Sequence, residues 1–444
     1  GTYKAPDFLE AARRLDVDVV VASETAQTLA DAMGDRALVV DLADPEASAA
    51  AINALAARHP LDAVVGVDDQ GVMIAALAGE RLGLSHNAPA AVARTRNKAA
   101  MRTALAAADG RPRHTDLAAT APDDATAVAA AHRGQTELRA TSPDGGTADG
   151  DGILRQPAFR IVGRDGDVVA AAEAVGWPVV VKPVSLSASR GVIRADDPAA
   201  AEAAAARVWA ILDDDCHPGD EPILVEAYVP GEEVAVEGLL RAGRLEVLAV
   251  FDKPDPLTGP YFEETIYVTP SRLPEPVQAG IARSVAGAAA AIGLTEGPVH
   301  AELRIDPEGR PWILELAART IGGLCARTLR FAAGVTLEEL VLRHALRLPL
   351  DPRRETVAAG VMMLPIPRPG RLVAVHGQDE ARAVPGITAL DLSIPPGGEV
   401  RPLPEGDRYL GFLFARAPTP AEVEEALRRA HAHLNVEIAP PDLA

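Results

Sequence analysis

Cysteine is nearly absent. Cys216 and Cys325 stand far apart in 444 residues and form no CxxC pair, which excludes a disulfide framework and a structural zinc site built on thiolates. Both are read as reduced packing residues. Long apolar runs are missing too: nothing approaches the ~18 uncharged residues of a membrane helix, and the opening Gly1-Thr2-Tyr3-Lys4 lacks the basic-then-apolar pattern of a signal peptide. A cytoplasmic location with no membrane partner is the expectation. Basic residues are in deficit, 43 Lys and Arg against 63 Asp and Glu, for a formal net charge of -20. That balance excludes a dedicated nucleic-acid binder, whose phosphate contacts need clustered Lys and Arg. It leaves nucleotides open, because a few well-placed lysines hold ATP in an acidic protein. There is no GxxxxGK[ST] loop, no HExxH and no GxGxxG after a strand, so any phosphate chemistry must rest on residues scattered along the chain.

What is present is ample core material, 48% hydrophobic residues over a length suited to two or three domains. Residues 1–110 alternate helix-like stretches (Pro6 to Leu15, Ala47 to Arg58, Gln70 to Leu82) with short strand-like runs (Val17 to Val21, Leu38 to Asp41, Ala63 to Val67). Such alternation predicts βαβ units on a parallel sheet. An Ala-rich helix from Ala91 to Ala108 follows, with Asn97-Lys98 in its middle. Periodicity fades over 111–156, which reads as a flexible insertion. Its Asp144 to Asp151 stretch mimics a calcium loop but has Arg155 at the twelfth position, where a bidentate Glu is required. Residues 157–350 carry clustered strands joined by turns such as Arg241-Ala-Gly-Arg244, an α+β domain with antiparallel pairing. Residues 351–444 read as a small α+β appendage. The fold class is therefore α/β followed by α+β.

The sharpest feature is Val299-His-Ala-Glu-Leu-Arg-Ile305, the turn Asp306-Pro-Glu-Gly309, and Trp312-Ile-Leu-Glu-Leu-Ala-Ala-Arg319. Asp, Pro and Gly at these positions suit a type I turn in a hairpin. Alternation sends Val299, Ala301, Leu303 and Ile305 to the core with Trp312, Leu314 and Leu316, leaving His300, Glu302 and Arg304 opposite Ile313, Glu315 and Ala317. A two-residue turn sets Glu302 opposite Ile313 and makes Glu315 its diagonal neighbour, about 7–8 Å away. Two carboxylates at that range suit magnesium bound to nucleotide phosphates. The bland alternative is a solvated polar face with weak surface pairs.

Upstream, Val179-Val-Val-Lys182 ends a buried strand in a lysine, and Val184-Ser-Leu-Ser-Ala-Ser-Arg-Gly191 is a run of small residues. Backbone N–H groups and hydroxyls of such a loop can wrap phosphates while the lysine supplies a point charge; the plain reading is a surface turn. The strand around Leu224 to Val229 ends at Pro230-Gly231 and restarts with acidic residues. Its exit offers backbone groups for an adenine edge and a carboxylate for ribose.

In this order, Lys98, Lys182 with its loop, Glu226 to Glu233, then Glu302 and Glu315-x-x-x-Arg319, the chain resembles the ATP-grasp superfamily over about residues 1 to 440. Within it the chain looks most like amino-acid ligases that make dipeptides, through Glu315-Leu-Ala-Ala-Arg-Thr-Ile-Gly-Gly323 and the small C-terminal domain. The resemblance implies an ATP-grasp fold and an ATP-dependent ligase that joins a carboxylate to an amine through an acyl phosphate. It assigns Lys98 and Lys182 to the phosphates, with Ser187, Ser189 and Gly191 in the closing loop. Glu226, Tyr228 and Val229 would line the adenine pocket and Glu233 the ribose. Glu302 and Glu315 would hold magnesium, with manganese able to replace it, and Arg319 the acyl phosphate. Lys253 and Glu264, in the segment before the hairpin, are candidate substrate contacts together with His300 and Arg304. Three departures stand out. Family members usually have a β-strand before the segment that begins at Gly1, so an incomplete N-terminal sheet is expected. The phosphate loop has Gly191 as its only glycine, and Ala317 stands where many relatives have a metal-binding Asn. Expected partners are small amino-acid or carboxylate substrates, with homodimerisation left open. The competing readings are a ligase of nucleotide-precursor or carboxylase type and an ATP-binding module without catalysis.

Overall fold

The computed structural model describes residues 4–24, 37–108, 154–215, 217 and 219–440. Nearly all of the expected insertion, with the calcium-like stretch inside it, and Cys216 lie outside these residues. The N-terminal part has α1 (Ala5–Leu15), β1 (Val21–Ser23), β2 (Ala37–Val39), α2 (Pro45–Ala56) and α3 (Gly71–Leu82). β1 and β2 pair in parallel, as the alternation predicts. The expected strand Ala63 to Val67 does not form. It runs instead into a turn where Asp68 Oδ1 accepts from the Gly71 N–H at 2.7 Å, and Gly66 packs backbone to backbone on Val72.

The single Ala-rich helix expected from Ala91 to Ala108 is two, α4 (Pro89–Thr95) and α5 (Lys98–Ala108). Asn97 is the cause: its Oδ1 accepts from the Ala100 N–H at 2.9 Å, an N-cap that starts a new helix. Lys98 therefore opens α5 rather than riding mid-helix.

A four-stranded antiparallel sheet follows, in the order β3 (Phe159–Val162), β6 (Ile223–Ala227), β4 (Val179–Pro183), β5 (Ile193–Ala195). Helices α6 (Val168–Val175) and α7 (Pro198–Asp214) cover it, burying Val179, Val181, Val208, Leu212 and Val225 in one core. The second lobe is built on an eight-stranded sheet. Its first five strands are β11 (Pro311–Ala317), β10 (Gly297–Ile305), β7 (Glu232–Arg241), β8 (Arg244–Lys253) and β9 (Ile266–Thr269). Helix α8 (Glu275–Ile292) packs beneath with Ile281, Val285 and Ile292 against Val299, Leu303 and Leu316. The C-terminal part, expected as an appendage, is stitched into this same sheet. β12 (Ala358–Leu364) pairs with β9, and β16 (Gly411–Ala417) and β14 (Ile387–Leu392) complete it. A three-stranded sheet of β13 (Gly370–His376), β15 (Glu399–Val400) and β17 (Asn435–Ala439) lies beside it.

The hairpin from Val299 to Arg319 forms, with a different register. Its turn is one residue longer than expected: the Asp306 N–H bonds to the Arg310 carbonyl, the Gly309 N–H bonds back to Asp306, and Gly309 takes φ +77°. A bulge then falls at Leu314, so Leu303 pairs with Ile313 while Glu302 pairs directly with Glu315. Ile313, expected on the polar face, is buried beside Leu316, whereas Trp312, expected in the core, donates its indole N–H to Asp306 at 2.9 Å. A bulge puts one extra residue in one strand and reverses which side chains share a face.

The turn between the two lobes leaves no room for a side chain at Gly231. It has φ +120°, and a Cβ there would lie 1.9 Å from the Ile305 carbonyl oxygen. Gly231→Ala is expected to lower the unfolding free energy by roughly 2–4 kcal/mol through left-handed strain and backbone clash. Urea denaturation should show a lower midpoint at an unchanged slope.

Candidate active site

The small sheet delivers two buried charges to the cleft. Lys182 Nζ lies 2.7 Å from Glu226 Oε2 on the adjacent strand, and Arg102 Nε from α5 lies 2.5 Å from the other oxygen. Burial raises the Glu226 carboxyl, but Arg102 and Lys182 outweigh it and hold the group at about 2. Burial, with Arg102 and Lys98 nearby, pushes Lys182 down despite Glu226. One carboxylate thus faces two cations, and the surplus is positive. Lys98 reaches the same region, donating to the Leu186 carbonyl at 2.5 Å and lying 3.5 Å from Glu315 Oε2. In the serine loop Ala188 and Ser189 take φ of +57° and +56°, and Ser187 is exposed. The Gly191 N–H is already bonded to the Pro404 carbonyl at 3.0 Å.

The large sheet delivers the acids. Glu302 and Glu315 face one another across the β10–β11 ladder, 24% and 28% exposed at their side chains. Glu302 sits 3.6 Å from Lys253 Nζ and 3.5 Å from His300 Nε2. Burial raises its carboxyl, but Lys253 and His300 outweigh that and keep it well below the usual range. These contacts are longer than direct hydrogen bonds, so both carboxylates keep oxygens for another cation. Two hard oxygen donors that are partly open to water fit magnesium. Ala317, buried at 3%, adds no ligand. Glu233, Glu264 and Glu302 also bring oxygens within 4.8 Å of one another, but Lys253 already occupies that nest. It lies 2.7 Å from Glu233, hydrogen-bonds Glu264 and stacks 4.9 Å from the Tyr267 ring. Burial pushes Lys253 down, yet the three carboxylates raise it well above its ordinary value.

Arg304, expected at the substrate, is a buried brace. It donates to Glu233 at 3.1 Å, the Tyr228 hydroxyl at 2.8 Å, the Val229 carbonyl at 3.0 Å, and the Leu257 carbonyl. That carbonyl of Val229 is therefore already engaged. Arg319 donates from Nε to Asp69 at 2.7 Å, and Lys4 donates to the Thr320 carbonyl and hydroxyl at 3.1 Å each. Burial and Arg319 lower Lys4 to about 8.

The structure groups Lys182 with Glu226, Lys98 with Glu315, and His300, Glu302, Glu233 and Glu264 around Lys253, and the β10–β11 ladder sets the second group beside the third. It adds residues that sequence reasoning missed: Arg102, Asp69, Lys4, Glu237, Tyr267 and Tyr409. The two tyrosines donate to Glu264 at 2.8 and 3.3 Å, and Glu237 accepts from His300 Nδ1 at 2.7 Å. Arg102 carries a sequence signal, one helical turn after Lys98 and so on the same helix face. Glu237 does too, at a strand position alternating with Glu233.

Three family models match the chain in order: an ATP-grasp N-terminal domain over residues 9–86, an ATP-grasp domain over 175–328, and L-amino acid ligase C-terminal domain 2 over 362–439. The chain thus carries ATP-grasp domains and has the ATP-grasp fold. Within that fold the chain resembles L-amino acid ligases. The L-amino acid ligase of Bacillus licheniformis superposes with a TM-score of 0.73 at 24% identity, covering 98% of this chain and 96% of that one. Among curated proteins, alanine–anticapsin ligase of Bacillus subtilis is 28% identical over 192 residues, 40% of each chain. Carnosine synthase 1 of Gallus gallus is 34% identical over 204 residues, 44% of this chain and 22% of that protein. D-alanine–D-alanine ligase of Gloeobacter violaceus is 30% identical over 202 residues, 42% and 62% respectively. The matched regions span 40%, 22% and 62% of these relatives' own lengths, under two thirds in each case. Among the described residues, no helix is long and apolar enough to cross a membrane.

His300 ties folding to pH. Burial opposes its charge, but the hydrogen bond to Glu237 and the neighbouring Glu302 carboxylate outweigh burial and raise it from 6.5 to about 9. A folded-state value above the unfolded one means full stabilisation below about pH 6.5, lost as pH rises through about 9. The contribution is about 3 kcal/mol. Urea unfolding between pH 6 and 10 should show this alkaline decline, and His300→Gln should flatten it.

Proposed function

We propose that the chain is an ATP-dependent ligase that joins amino acids, coupling a carboxylate to an amine through an acyl phosphate and releasing ADP and phosphate. The observation that carries this reading is the direct pairing of Glu302 with Glu315, with Lys98 beside Glu315 and Lys182 tied to the same strand through Glu226 and Arg102. Support also comes from relatives named as ligases of alanine and from the match to an L-amino acid ligase domain.

In this reading Lys98 and Lys182 hold the ATP phosphates, and the excess positive charge around Glu226 is what an anion would neutralise. The loop of Ser187, Ser189 and Gly191 covers them and excludes water. Glu226 acts from beneath, orienting Lys182, while the backbone at Tyr228 and Val229 borders the adenine side and Glu233 the ribose side. Glu302 and Glu315 hold magnesium, which neutralises phosphate charge when bound; manganese suits the same oxygens. Arg319, fixed by Asp69, directs its remaining N–H groups to the acyl phosphate and to the oxyanion that develops when the amine attacks. Lys253 and Glu264, held by Tyr267 and Tyr409, border the substrate, with His300 beside Glu302. Catalysis is then chiefly positioning and electrostatics.

The test is an ADP-release screen over pairs of amino acids with product analysis. Amino-acid-dependent ADP release with a free dipeptide is the expected result, and Glu315→Ala should lose roughly 100-fold or more of kcat. Full activity in that variant would refute the metal assignment. Nucleotide binding without amino-acid-dependent ADP release would make the chain a non-catalytic module, and ADP release only with bicarbonate or nucleotide precursors would make it another kind of ligase.

A further inference from the structure

The bulge that pairs Glu315 with Glu302 creates a difficulty at its own backbone. The extra residue, Leu314, has no partner across the ladder, and β11 is the edge strand of its sheet, so the Ile313 and Leu314 carbonyls need a donor from outside the sheet. A buried carbonyl without a donor is costly. Arg102 is the donor: its guanidinium gives one N–H to the Ile313 carbonyl at 3.2 Å and another to the Leu314 carbonyl at 2.7 Å. The same group, from Nε and Nη2, grips both oxygens of Glu226 at 2.5 and 3.3 Å. Glu226 in turn holds Lys182. Arg102 is fully buried, at 0% exposure, and its own helix begins with Lys98, which lies against Glu315.

We propose that Arg102 is the positioning residue that couples the two halves of the site: through the bulge carbonyls it fixes Glu315 opposite Glu302, and through Glu226 it fixes Lys182. It touches no substrate. The inference rests on the functional reading above for what the two halves bind, but its geometry does not depend on that reading. Only a planar fork with several fixed donors can serve a carboxylate and two carbonyls at once, so lysine, a single point donor, cannot replace it.

The experiment compares wild type, Arg102→Lys and Glu226→Gln by Mn2+ binding (electron paramagnetic resonance, with and without ADP), by ATP binding, and by the KM for ATP. Circular dichroism checks that each variant is folded. For Arg102→Lys we expect about tenfold weaker Mn2+ binding together with about tenfold weaker ATP binding. Glu226→Gln frees Lys182 but leaves the bulge carbonyls with Arg102, so it should weaken ATP and leave Mn2+ affinity in the absence of nucleotide within twofold. Wild-type values for both ligands in a folded Arg102→Lys protein would overturn the proposal. So would equal loss of Mn2+ affinity in Glu226→Gln, which remains decisive should Arg102→Lys fail to fold. Failure of the functional reading looks different: wild type itself would then bind neither ATP nor Mn2+.

Discussion

A guanidinium sealed from water must find an acceptor for its N–H groups, and a carboxylate sealed beside it must be answered by cations. The Arg102–Glu226 pair meets both demands at the meeting point of α5, the small sheet and the β10–β11 hairpin. Removing either partner would leave a buried charge unanswered, the costly case for buried ion pairs. Each neighbouring feature follows from it. Lys182 is held where β4 ends because Glu226 stands beside it, and β11 departs from regular pairing because its freed carbonyls have a donor waiting.

The cleft is organised by opposite imbalances at its two ends. Glu226 is shared by two cations, Arg102 and Lys182, whereas Lys253 lies among three carboxylates, Glu233, Glu264 and Glu302. The first end is short of negative charge and the second is short of positive charge. A polyanion bound with a divalent cation corrects both deficits together, and each correction strengthens the other in a low-dielectric cleft. Lys253 has a second effect: its ammonium occupies the acidic nest, which leaves Glu315 and Glu302, 28% and 24% exposed, as the more open carboxylates of this region.

Much of this architecture was legible in the sequence because strand alternation and turn chemistry are local. The hairpin from Val299 to Arg319, the lysine ending the strand at 182, and the antiparallel pairing of β7 with β8 all follow from residue patterns. What was not legible depends on distant partners. The sequence around Leu314 alternates as a regular strand should; only Arg102, 212 residues away, makes the bulge affordable. Ile313 and Trp312 exchanged their expected faces because the turn is one residue longer, and the bulge then returns Glu315 to the face of Glu302. Likewise Arg304 alternates in step with His300 and Glu302 and reads as a substrate contact, yet acceptors from Tyr228, Val229, Glu233 and Leu257 converge on it from other segments. Asn97 is the opposite case. Its cap on Ala100 is local, and an Asn just before a run of helix formers is itself a start signal that the Ala-rich composition masked.

The serine loop shows how the C-terminal part enters the site without supplying any of its charges. The Gly191 N–H and Arg190 Nε both bond to carbonyls of the loop at Pro404 and Glu405, and Arg207 on α7 pairs with the Glu405 carboxylate at 2.6 Å. The C-terminal strands are continuous with the sheet that bears Glu302. The small lobe is therefore tied to the large sheet through Arg102 at a buried junction and through Glu405 at the outer edge, among other contacts. These attachments differ in kind. The junction contact is buried and multiply bonded, while the outer ion pair is largely exposed, 44% and 36% at its two side chains, and exposed pairs are worth at most about 1 kcal/mol. The serine loop does not depend on that ion pair alone: the Gly191 N–H bonds to the Pro404 carbonyl at 3.0 Å, the Arg194 N–H bonds to the Pro260 carbonyl at 2.8 Å, and Ile193 bridges to Tyr261, so backbone contacts set its position against the C-terminal part and the segment before β9.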